Sequence, residues 1–188
     1  MSFIYPNDFF SNTKQQLVYL FVLCFMSVLS CNTNPQQIIQ ENDPVFKTTD
    51  PARLYFKNTR SHQYQQITQK TSRIDHYYLK VMTKDQLIIP VIANNWLAEE
   101  AYFLFAPKEQ GQENLDIKLS DSTTIQLNLQ SRKSQYEVAI KLSKALSADK
   151  SCCVQTINGE CLSIFASDQE KTHFNTVVRD YLKLVERF

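Results

Sequence analysis

The chain has 188 residues, with 20 Lys and Arg against 19 Asp and Glu for a formal net charge of +1, and only two glycines, Gly111 and Gly159. So even a balance, with no basic cluster, excludes the concentrated footprint of a nucleic-acid binder and points to no acidic substrate. Two glycines exclude the phosphate-cradling loops of nucleotide enzymes, which need several so that backbone N–H groups reach the phosphates, and they exclude the G-x-S-x-G elbow of α/β-hydrolases.

The first element in chain order is "LVYLFVLCFMSVLS". From Leu17 to Leu29 only Ser27 is neither apolar nor aromatic. That run is too short to span a hydrocarbon core, which takes about 20 residues, and it has the length of a signal-peptide apolar region. Lys14 and the terminal amine supply a basic start, and Ser30 the small residue before a cut. Val28-Leu29-Ser30-Cys31 then resembles the lipobox of bacterial lipoproteins. The resemblance implies that Cys31 is diacylated on sulfur and that the chain is cut in front of it, which frees its amine for a further acyl chain. One acyl chain anchors only marginally, and two or three hold stably. Cys24 is discarded in this reading.

Removing residues 1–30 takes away Lys14 and Asp8, leaving 19 basic against 18 acidic residues. Residues 31–44 read as a lipidated polar tether with a proline near each end. Residues 45–188 have the length of one domain. The expected fold class is α+β: a largely antiparallel sheet (meander) with a C-terminal helix–β-hairpin–helix unit packed on it.

Within the domain, "ARLYFKN", "HYYLKVM", "QLIIPVIA" and "AYFLFAP" are aromatic and β-branched runs of strand length. Pro90 predicts an edge or bulged strand. "LDIKLS" and "TTIQLNL" alternate apolar and polar residues and predict a hairpin through Ser120–Thr123 that buries Ile117, Leu119, Ile125 and Leu127. Ser134 with Glu137 and Ser167 with Glu170 have capping-box spacing. The first pair opens a helix with Val138, Leu142, Ala145 and Leu146 on one face, the second a helix carrying Phe174, Val177, Val178, Tyr181, Val185 and Phe188.

Between the two helices, Asn158-Gly159 predicts a two-residue hairpin turn. That register sets Thr156 opposite Cys161 and Cys153 opposite Ile164. Cys161 and Cys153 then fall on opposite faces, Cys161 and Cys152 too far apart, and neither pair can bridge. An odd number of cysteines in the mature domain leaves at least one thiol free or paired with another chain. The expectation is buried structural thiols; a catalytic thiol with His173 as base has no second signal, Asp168 lying near His173 only in sequence. His62 and His76 are too isolated for a metal site. Glu99-Glu100 are adjacent and do not face each other on a helix. No metal, nucleotide or other cofactor is expected.

Twelve Phe, nine Tyr and Trp96 are the remaining enrichment. Most should be core. Exposed together on one sheet face, Tyr55, Tyr64, Tyr77, Trp96 and Tyr102 would form a recognition surface. The segment from Tyr55 to Arg73 is either a polar binding edge or the wet side of a meander. These features together predict a lipid-anchored cell-envelope protein, held at a bacterial membrane such as the outer membrane through Cys31, facing the periplasm or the surface. Its domain is expected to bind a protein or glycan partner without catalysis; the alternative is a periplasmic hydrolase or thiol enzyme.

Overall fold

The computed structural model describes residues 46–82, 86–108, 111–156 and 158–187. The leader, Cys31, the tether and Phe188 lie outside the described residues. The described part is mixed α+β, with two antiparallel four-stranded sheets and three α-helices. The first sheet is the meander β1 (Tyr64–Gln69), β2 (Ile74–Leu79), β3 (Ile88–Asn95) and β4 (Glu100–Pro107). The second runs in the order β6 (Thr124–Asn128), β5 (Asn114–Leu119), β7 (Cys152–Gln155), β8 (Cys161–Ile164).

The run Ala52–Asn58 is helical, a correction to the strand expected there. Thr49 caps α1 (Asp50–Tyr55) by accepting from Ala52 N–H, Pro51 sits in its first turn, and the chain continues through a π turn over Phe56–Arg60. Proline with its fixed φ just inside a capped start favours helix. The aromatic content that resembled a strand serves instead to bury Phe56, whose ring lies 5.6 Å from that of Tyr64 and 5.1 Å from that of Tyr77.

Pro90 also departs from expectation, because β3 is an interior strand. Its place is still consistent with a missing donor. Phe105 N–H donates away from β3, to Gln135 Oε1 at 2.7 Å, so the opposed pair Pro90 and Phe105 exchanges no backbone bond. Pro90 therefore turns its nitrogen toward β2, and the β2–β3 ladder ends at Tyr78 and Val91, one residue short of needing it.

The hairpin of β5 and β6 forms as expected, with Leu115 opposite Leu127 and Ile117 opposite Ile125, and Leu119 N–H closing the turn on Thr123 O. Ile117, Ile125 and Leu127 are buried, whereas Leu119 is half-buried. Helix α2 (Arg132–Ser147) starts two residues before the expected cap, because Ser131 rather than Ser134 accepts at its amino end. Ser134 Oγ instead accepts from Asn128 N–H. Helix α3 (Asp168–Leu184) has the complete Ser167–Glu170 capping box. Its apolar stripe lies on the inner face of the first sheet, where Phe174 and Tyr181 pack edge-on to Phe103. Residues of both sheets and of α2 and α3 make one continuous core.

Candidate interaction surface

Strand alternation divides the first sheet into two faces. The inner one carries Tyr64, Tyr77, Ile92, Phe103 and Phe105, covered by α1 and α3. The outer one carries, in cross-strand rows, Ile67, His76, Ala93 and Tyr102, then Gln65, Tyr78, Val91 and Leu104. Tyr102 is the covered end of its row: Phe46 lies against its ring at 5.3 Å, Arg132 at the start of α2 sits 3.8 Å above it, and its hydroxyl donates to Glu100. Lys47 pairs with Glu100 on the other side at 3.2 Å, and this hydrogen bonding holds the Glu100 carboxyl below its ordinary range.

The centre of the outer face is aliphatic. Val91 and Ala93 are each 1% exposed. Their cross-strand neighbours Tyr78, His76 and Leu104 are half-buried, and Ile67 at the β1 margin is 48% exposed. Side chains opposite one another across antiparallel strands lie close enough to shield each other, so tyrosine, histidine and leucine form a rim over an aliphatic centre. Burial lowers the His76 pKa from its usual value, favouring the neutral imidazole, and raises that of Tyr78.

The aromatics predicted to share a surface are therefore separated. Tyr64 and Tyr77 point into the core and Tyr102 is covered, each 3% exposed. Trp96 is half-buried, with Nε1–H donating to Asp75 Oδ2 at 2.7 Å. Tyr55 is 45% exposed on α1, with Lys183 above its ring at 5.8 Å. Tyr78 and His76 lie on the outer face in their place. Alternation within "HYYLKV" makes one of the adjacent tyrosines face inward and the other outward, but not which one.

Sequence reasoning also missed a buried ion pair. Arg60 spans the Asp180 carboxylate, with Nε at 3.0 and 2.9 Å from its oxygens and Nη2 at 2.8 Å, and Tyr64 OH donates to the same group at 2.7 Å. Burial and the Asp180 charge push the Tyr64 hydroxyl far above its usual range, so it stays protonated. The cluster binds the end of the α1 segment to β1 and α3. Its trace in the sequence is an acid three residues after Val177 and four before Leu184, inside the apolar stripe of a helix.

The thiols need a second correction. Cys153 and Cys161 form a disulfide with Cα atoms 5.4 Å apart. Thr156 N–H donates to Glu160 O, and Gly159, at φ +83°, donates to Thr156 O, so three residues rather than two lie between the paired ends. This is the longer hairpin loop with glycine in the left-handed position. It slips the register by one, setting Gln155 opposite Cys161 and Cys153 opposite Ser163. A one-residue slip moves side chains to the other face, which brings Cys153 and Cys161 onto the same face as diagonal neighbours. Cys152 remains free and buried; its Sγ donates to Ile164 O at 3.3 Å, and burial pushes the thiol up to about 11. Such a thiol is almost wholly protonated at neutral pH and a weak nucleophile.

These thiol assignments give a direct expectation. A small alkylating reagent should label Cys152 slowly in the native chain and rapidly on unfolding, read by peptide mass. Replacing both Cys153 and Cys161 with Ser should lower stability by about 2–3 kcal/mol, the value for closing a short loop, read from the urea midpoint. Fast native labelling of Cys152, or an unchanged midpoint, would contradict them.

Among the described residues no group of three or more His, Cys, Asp or Glu is placed to hold a metal ion. No described helix is long and apolar enough to cross a membrane. No protein-family model matches the chain, and neither a curated protein nor a solved structure matches it significantly.

Proposed function

We propose that this chain is a lipid-anchored cell-envelope protein whose domain binds a protein partner through the outer face of the β1–β4 sheet. The observation that supports it is Ile67, 48% exposed at the β1 margin of that face, with the half-buried His76 opposite it and Tyr78 beside it on β2. Apolar and aromatic side chains at an exposed sheet margin, without convergent polar groups, suit a protein surface better than a glycan, which needs its hydroxyls paired. The anchor rests on the resemblance of Val28–Cys31 to a lipobox, and the polar residues 32–44 give the domain reach from the membrane.

Anchor and surface are tested separately. Cys31→Ala should move the protein from the detergent-extracted membrane fraction to the soluble envelope fraction, and the intact wild-type mass should carry the lipid. A wild-type mass without lipid would overturn the anchor. Tyr78→Glu, a change at a half-buried surface position, should leave the fold and the anchor intact and abolish partner capture. Undiminished capture by this variant would overturn the surface.

A further inference from the structure

The second sheet leaves β6 at its free edge. Leu119 N–H donates to Thr123 O and Leu129 N–H to Glu113 O, so the odd-numbered residues of β6 bond toward β5. Thr124 and Gln126 consequently direct their N–H and C=O groups off the sheet. The next such donor, Asn128 N–H, is already taken by Ser134 Oγ at 3.0 Å.

The open groups border a groove of about 800 Å³ between β6 and the flank of α2. Leu119, Ile125, Val138 and Ala145 give it an apolar floor, and Lys141 and Lys144, three residues apart on α2, lie along its far side. The acidic groups at the groove are engaged: Asp121 pairs with Lys150 at 2.5 Å, and Glu137 with Lys133 at 3.8 Å.

We infer that this groove captures an extended peptide that adds to β6 as a fifth strand, with an acidic residue between two apolar ones on its inward face. Strand addition uses the free backbone groups for affinity and pockets under alternate side chains for specificity. Here the inward apolar residues meet the floor and the acidic one meets Lys141. The outward residues meet only solvent and are unconstrained. This site is separate from the outer face of the first sheet and does not depend on the function proposed for that face.

The test uses the full chain in mild detergent and a fluorescein-labelled heptapeptide, Thr-Val-Thr-Glu-Thr-Val-Thr, read by fluorescence anisotropy against detergent alone. Saturable binding is expected, weakened about tenfold when the peptide's Glu is replaced by Lys or when Lys141→Glu reverses the wall charge. Gln126→Pro, which removes an edge N–H, should reduce binding further, and Tyr78→Glu should leave it unchanged. Should Gln126→Pro fail to fold, the surface change Lys141→Glu decides. Absence of saturable binding, equal affinity for the Glu and Lys peptides, or loss of binding on Tyr78→Glu alone would overturn the inference.

Discussion

Replacing Phe174 with Ala should cost the domain about 3–5 kcal/mol, the usual range for removing a fully buried aromatic ring. Phe174 has no exposed surface, and its ring centroid lies 4.5 Å from that of Phe165, 6.1 Å from Phe103 and 6.2 Å from Phe105. It therefore joins α3 to β4 of the first sheet and to the residue that follows β8 of the second. The vacated volume cannot be filled by a single neighbour, since the three surrounding rings are held by two separate segments, β4 and the residue after β8. The loss should appear as a fall in Tm on the order of 10 °C in a circular-dichroism melt. A change of under about 1 kcal/mol would mean that the two sheets do not share a core through this ring.

Asp180→Ala should be comparably damaging, by about 3–5 kcal/mol, for an electrostatic reason. The Asp180 side chain is 2% exposed and that of Arg60 20% exposed. Removing the carboxylate leaves a largely buried guanidinium and the Tyr64 hydroxyl without their partner. Most of the cost is that unpaired charge rather than the net value of the pair. Replacing both partners together, Arg60→Met with Asp180→Leu, should accordingly recover much of the loss, measured as a double-mutant cycle in urea. If Asp180→Ala is neutral, or the double variant is as unstable as the single, the buried pair is not what fixes the α1 segment.

How much of this architecture the sequence discloses depends on how local the signal is. The β5–β6 hairpin is legible because three apolar residues alternate on each side of a short polar turn. The Ser167–Glu170 cap of α3 is equally local, and it is present as expected. Phe56 is less legible, because an aromatic run resembles a strand unless Thr49 and Pro51 are weighed as helix-start signals. The β7–β8 register failed by one residue, because Asn-Gly suits a two-residue turn as well as the end of a three-residue loop. That slip alone changed the cysteines from unbridgeable to bridged. The proposed binding surface is the least legible feature, since exposure of Tyr77 or Tyr78 depends on where α3 lies, and α3 is brought there by contacts about a hundred residues away in sequence, such as that between Tyr64 and Asp180.

The most direct test of the proposed function is site-specific photo-crosslinking in cells producing the full chain. A photoreactive residue placed at position 78 on the outer face of the first sheet is compared with one at the exposed Asp116 position on the second sheet. The account predicts a discrete protein adduct from position 78, absent from position 116 and lost when Ile67→Glu is added to the face. No adduct from position 78, or the same adduct from both positions, would contradict it.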